Sequence, residues 1–162
     1  MITCTFENGG KAIPGLRHVT VGALAVNDKG QILLVKRSDK HIRPNTYSVP
    51  GGFLGRDETT AFAALRELEE ESGYTGKIIS LFHVNDNPER PKEDRQNVDF
   101  IYAVKITGGT PKHDDEIASI MWFDENSLPP DEEFAFDHRD VILRYFAYLK
   151  NPFVLPIVGK IN

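Results

Sequence analysis

The 162 residues hold 19 Lys and Arg against 24 Asp and Glu, a formal net charge of −5, with 40% hydrophobic and 27% charged residues. That balance excludes a disordered or collagen-like chain and fits a single domain, 1–162, able to close a core without disulfides or structural metals. No run of Lys or Arg forms the basic stripe that duplex nucleic acid demands.

Residues 1–16 read as an N-terminal extension. They lack the basic start and apolar stretch of a secretion signal, and no later segment reaches about 18 apolar residues, so a cytoplasmic protein with no membrane partner is expected. Cys4 is the sole cysteine, which rules out an intrachain bridge, a zinc cage of thiolates and a paired-thiol redox site.

His18 to Asn27 is β-rich and nearly continuous in small or apolar residues, as for a strand buried on both faces. Asp28-Lys29-Gly30 turns the chain, and Gln31 to Arg37 supplies the returning strand of a hairpin. Ser38 to Asn45 reads as an exposed loop, and Tyr47 to Val49 as a short strand before Pro50-Gly51-Gly52. The clearest helix spans Glu58 to Ser72, with Asp57 placed to cap it and Gly73 placed to end it in a left-handed conformation. At about 100° per residue, Ala61, Phe62, Ala64, Leu65 and Leu68 gather on one side of that helix, which should face the core.

Lys77 to Val84 and Val98 to Ile106 read as strands. The segment between them, Asn85 to Asn97, is polar and proline-broken; its charged residues, Arg90 and Arg95 among them, place it in solvent as a substrate-side loop. Ile117 to Phe123 forms a last strand. An amphipathic helix from about Arg139 to Lys150 follows Asp137 as cap and stops at Asn151-Pro152, leaving 151–162 as a tail. The order of hairpin, helix, several strands and helix is not a regular βαβ alternation, so a mixed sheet flanked by helices is expected.

The chemistry concentrates in the first helix. Glu67, Glu70 and Glu71, spaced i, i+3 and i+4, put three carboxylates on one stripe opposite the apolar side. Like charges so close are unfavourable unless cations sit between them, and carboxylate oxygens suit hard ions such as Mg²⁺ or Mn²⁺. A solvated acidic face is the commoner fate of a Glu-rich helix, but the flanking residues argue against it. From Gly52 the chain reads Gly, five residues, Glu58, seven residues, Arg66-Glu67-Leu68, one residue, Glu70-Glu71, one residue, Gly73, Tyr74. This resembles the Nudix box of the Nudix hydrolases at every fixed position but the last, where Tyr74 replaces a bulky aliphatic residue.

The resemblance implies an α/β/α sandwich with a mixed β-sheet flanked by helices, and a Mg²⁺-dependent pyrophosphatase, with Mn²⁺ as alternative. It casts Glu67, Glu70 and Glu71 as metal-binding carboxylates, Gly51 as a carbonyl ligand beside Gly52, and Arg66 and Glu58 as the ion pair that orients them. The box glycines suit a close approach of backbone to metal or phosphate. A further carboxylate, Glu116 among Asp114, Asp115 and Glu116, is expected to complete the metal site; Glu70 or Glu116 would take the proton of the attacking water. Arg90 and Arg95 are candidates for a distal phosphate or ribose.

Beyond the box, Trp122-Phe123 and Phe136-Asp137-His138-Arg139 also look like Nudix proteins, most of all ADP-ribose pyrophosphatases. That subgroup carries a proline some fifteen residues past the box; here Pro88 lies fourteen and Pro91 seventeen past Tyr74. The leading substrate is therefore ADP-ribose or a related nucleotide sugar. An oxidised or noncognate nucleoside triphosphate is second. A ligand-sensing regulator is third, disfavoured by the intact box and the twelve residues after Lys150. Analogy with ADP-ribose pyrophosphatases suggests a homodimer. Tyr47, Phe53, Phe82 and Phe134 are candidates either to stack a base or to fill the core. The five histidines, His18, His41, His83, His113 and His138, show no zinc-like helical pair.

Overall fold

The computed structural model describes residues 17–40, 43–91 and 97–161. Its elements run β1 (His18–Val26), β2 (Ile32–Arg37), β3 (Tyr47–Ser48), β4 (Gly51–Phe53), α1 (Thr60–Ser72), β5 (Tyr74–Asn85), β6 (Asn97–Gly109), β7 (Ile117–Phe123), α2 (His138–Lys150) and β8 (Ile157–Val158). The described strands join one mixed sheet in the order β3-β2-β1-β6-β5-β8, with β4 also on β1 and β7 also on β2.

β1 is the spine. Val21 to Ala25 are all buried, as a strand covered on both faces should be, and alternation sends its side chains to opposite layers. Val21, Ala23 and Ala25 meet Ala63, Ala64 and Leu68 of α1. Leu24 meets Val141, Ile142, Tyr145 and Phe146 of α2 on the other side. With one helix on each face, the architecture is the expected α/β/α sandwich.

The hairpin forms only at its closed end. β1 and β2 share the single register pair Val26↔Ile32, after which β2 turns away to pair with β3 and β7. β1 instead runs parallel to β6 along its whole length, and β4 occupies the edge that β2 leaves, pairing Thr20↔Phe53, Val21↔Gly52 and Gly22↔Gly51. That departure brings the Gly51-Gly52 pair against the sheet's central strand.

Helix α1 starts two residues later than the sequence suggests. Thr59 caps it, its hydroxyl accepting from the Phe62 N–H, whereas Asp57 lies outside; Gly73 ends the helix at φ 71° as expected. Phe62 is 60% exposed rather than in the core, because Ala63 and Ala64 define the centre of the packed face. Asp137 precedes α2 but caps it with no side-chain bond; its carboxylate is engaged elsewhere. The tail is not merely appended: β8 adds to β5 in parallel, and the Gly159 carbonyl lies 2.7 Å from His83 Nε2. No helix among the described residues is long and apolar enough to cross a membrane.

Candidate active site

A cavity of about 540 Å³ opens where β4 meets the first turns of β1 and β6. Two sets of polar and charged side chains line it, one delivered by α1 and one by β6, the segment before it and the start of α2.

At the α1 end, Arg66 is the organising group. Its Nε and Nη2 donate to both oxygens of Glu58 at 3.0 and 2.8 Å, Nη1 donates to Glu67 and Glu70 at 2.8 Å each, and Nη2 also reaches the Phe53 carbonyl at 3.3 Å. The planar fork of a guanidinium permits this division. Arg66, helped by the Gly55 N–H, holds the Glu58 carboxyl down to about 2, so the pair fixes the loop before α1 against the helix.

The three stripe carboxylates have unequal surroundings. Glu70 is half-exposed. Burial raises the carboxyl of Glu67 above its ordinary range despite Arg66. Glu71 is only 5% exposed and accepts the Gly51 N–H at 2.9 Å; burial pushes it up to about 8, and Glu67 adds to the shift. The carboxylate stripe, expected opposite the apolar side, is therefore half interior, because the helix leans its Glu71 edge onto β4. Glycine makes this contact feasible: a Cβ on Gly52 would sit 2.5 Å from the Glu67 carboxylate, and one on Gly51 would sit 2.3 Å from the Val21 carbonyl oxygen.

Among the described residues no three His, Cys, Asp or Glu side chains converge into a ready metal cage, since Arg66 occupies the space between Glu67 and Glu70. The donor set nonetheless fits a hard cation. Mg²⁺ keeps several waters and binds through one or two carboxylates plus substrate phosphates rather than through a closed all-protein cage. A carboxyl buried beside a second carboxylate is the environment in which a cation replaces a proton. Glu116 is exposed on the loop before β7 and lines the same cavity, and it and Glu71 both act electrostatically on the half-buried Arg37 between them.

At the second end the sequence singles out Arg90 and Phe136-Asp137-His138-Arg139, but not the Asp99 and Thr20 that lie beside them in the cavity wall. Arg90, expected in solvent, is 8% exposed. Its Nε donates to Asp137 at 2.7 Å and its Nη2 to Asp99 at 3.1 Å, while its guanidinium lies 5.2 Å from the Phe136 ring centre. Two carboxylates satisfy the charge that composition alone would keep outside. Burial works against ionisation of Asp137, and Arg90 overcomes it, so its carboxyl stays below the usual range. His138 accepts the Val49 N–H through Nδ1 at 3.2 Å, which puts the proton of its neutral ring on Nε2; burial and then Arg90 lower its titration to about 4. Asp99 and Thr20 complete this wall. An aspartate in the otherwise apolar run of β6 was the sequence signal for it.

Arg95, Cys4 and His41 lie outside the described residues. Of the four candidate stacking aromatics, Tyr47, Phe82 and Phe134 belong to the core under α2, and only Phe53, 50% exposed, lines the cavity.

This geometry has a recognised counterpart. Residues 16–145 match the model of the NUDIX domain. The chain belongs to the NUDIX family of hydrolases. It is 31% identical over 132 residues to an ADP-ribose pyrophosphatase of Methanocaldococcus jannaschii, covering 81% of this chain and 75% of that protein. It is 36% identical over 114 residues to a putative 8-oxo-dGTP diphosphatase of Bacillus subtilis, covering 68% and 70%. The crystal structure of a NUDIX hydrolase from Nitrosomonas europaea superposes with a TM-score of 0.76 at 21% identity, over 98% of this chain and 92% of that one; this likeness concerns the fold.

Proposed function

We propose that this Nudix hydrolase cleaves the pyrophosphate linkage of a nucleoside diphosphate joined to a second group, ADP-ribose or a related nucleotide sugar, with Mg²⁺ as cofactor and Mn²⁺ as alternative. The observation that carries the reading is Glu71, buried with Glu67 against Gly51-Gly52 at the end of the cavity, where a carboxyl titrates near 8 unless a cation compensates it. Nudix hydrolases generally use divalent metal ions.

A pyrophosphate resists water because its anionic oxygens repel a nucleophile. Divalent ions, when bound, would neutralise that charge and polarise the phosphoryl oxygens. Glu67, Glu70 and Glu71, with the Gly51 carbonyl, are the groups to hold them, and Glu116 lines the same cavity. Arg66 and Glu58 orient these carboxylates without touching substrate. Glu70 or Glu116 accepts the proton as water attacks one phosphorus in line. The bond from that phosphorus to the bridging oxygen breaks, giving a nucleoside monophosphate and a phosphorylated second fragment.

A second reading, hydrolysis of an oxidised nucleoside triphosphate, is favoured by the likeness to the putative 8-oxo-dGTP diphosphatase of B. subtilis. One assay separates them. The protein is incubated with Mg²⁺ and ADP-ribose, other nucleoside diphosphate sugars or 8-oxo-dGTP, and products are resolved by chromatography. AMP and ribose 5-phosphate from ADP-ribose are expected. Turnover of 8-oxo-dGTP alone would transfer the reading to the second class, and no turnover of any member would remove the pyrophosphatase reading.

A further inference from the structure

The end of the cavity away from α1 carries polar groups that the phosphate chemistry does not use. Phe53, Thr20 and Asp99 form one rung across β4, β1 and β6, since Thr20 pairs with Phe53 on one side and with Asp99 on the other. Cross-strand partners project to the same face of a sheet, and all three line the cavity.

Asp99 is 4% exposed. Its Oδ2 accepts from Arg90 at 3.1 Å, but Oδ1 is buried with no hydrogen-bond partner among the described residues, as is the hydroxyl of Thr20 on the neighbouring strand. A buried acceptor left unsatisfied is unfavourable. An ion pair serving stability alone would need only the oxygen that Arg90 already takes. The missing partner is a donor rather than a second cation, because the Arg90 guanidinium already sits against this carboxylate and would repel one. His138, on the same wall, has its Nδ1 occupied by Val49 and so presents an N–H from Nε2. The half-exposed ring of Phe53 suits a flat heteroaromatic group.

We infer that this rung is the nucleoside subsite: Asp99 Oδ1 accepts from an N–H of a purine base or an O–H of its ribose, with Phe53 against the base. The inference rests on the preceding reading in that the diphosphate then points toward Glu67 and Glu71. Asp99 is here a specificity-determining residue, and Arg90 positions it.

Calorimetric titration of the whole protein with AMP in the presence of Mg²⁺ tests this without requiring turnover. AMP is expected to bind, and Asp99→Asn to raise its Kd about tenfold or more, the size of a lost hydrogen bond to a charged group. Thr20→Val, which leaves the Arg90 pair intact, should raise it less, about threefold, with an unchanged melting temperature. Purine riboside 5′-monophosphate, which lacks the 6-amino group, and 2′,3′-dideoxyadenosine 5′-monophosphate identify the donor: the Asp99→Asn penalty disappears for the ligand that lacks it. Failure of AMP to bind the wild type, or equal Kd values for wild type and both variants, would overturn the subsite. Absence of hydrolysis in the product assay, with this binding pattern intact, would instead strike at the pyrophosphatase reading alone.

Discussion

The two ends of the cavity handle charge in opposite ways. At the α1 end, the carboxylates of Glu58, Glu67 and Glu70 share Arg66 as their close cation, while Glu71 is buried, accepts the Gly51 N–H and feels the positive charge of Arg37. At the other end, Arg90 stands between Asp99 and Asp137, and each buried charge has an opposite partner at 2.7 or 3.1 Å. The first set crowds four carboxylates around Arg66 and Arg37; the second is balanced as a structure and lacks, among the described residues, only a partner for one oxygen of Asp99. Removing a residue from the first should therefore affect activity more than folding, and removing one from the second should affect folding first.

The largest expected effect is on catalysis. Glu70→Gln should lower turnover by about a thousandfold, equivalent to roughly 4 kcal/mol of barrier, with melting little changed because Glu70 is half-exposed and its i,i+4 pair with Arg66 lies at the surface. Activity within tenfold of wild type would break the assignment of α1 as the reacting end. Arg90→Ala should destabilise the fold by about 3–5 kcal/mol, since it strands two buried carboxylates; a chemical denaturation midpoint close to wild type would show that the second end is not an internally balanced pair set.

The sign reverses at Glu71. Its folded titration point, about 8, lies above the ordinary 4.5, so an unfolded chain releases the proton as pH rises past 4.5 while the folded chain retains it. Stability from this group is thus full below 4.5 and is lost progressively up to about 8. Glu71→Gln keeps the shape and removes the titration, and should stabilise the metal-free protein at pH 8 by up to about 4 kcal/mol while removing activity. Equal denaturation curves for the two proteins at pH 8 would contradict the burial. Smallest of the four, Leu65→Ala should cost about 1–2 kcal/mol, because Leu65 packs beside the α1 core cluster yet stays partly exposed. A loss near that of a fully buried leucine would mean that α1 lies deeper on the sheet.

The same contrast explains what the sequence discloses. The α1 end lies within 23 consecutive residues, where helical periodicity and fixed spacing place Glu67, Glu70, Glu71 and Arg66 before any tertiary contact is known. The other end is assembled from residues 20, 90, 99, 137 and 138, which only the parallel pairing of β1 with β6 and the approach of α2 bring together. Composition kept Arg90 in solvent because the cost of burying a guanidinium is local, whereas the two aspartates that offset it are nine and 47 positions away. Thr59 took the cap from Asp57 by a similar margin: two residues shift a helix start without altering its face.

The most direct test of the account is the exchange of proton for cation at Glu71. Mg²⁺ is titrated into the protein at pH 7 in two buffers of different ionisation enthalpy, and the buffer dependence of the heat gives the protons released. A group titrating near 8 should release close to one proton per ion bound, and Glu71→Gln should release none. Binding of Mg²⁺ to the wild type with no proton released, or no binding at all, would contradict the claim that this buried carboxyl is held in place for a metal ion.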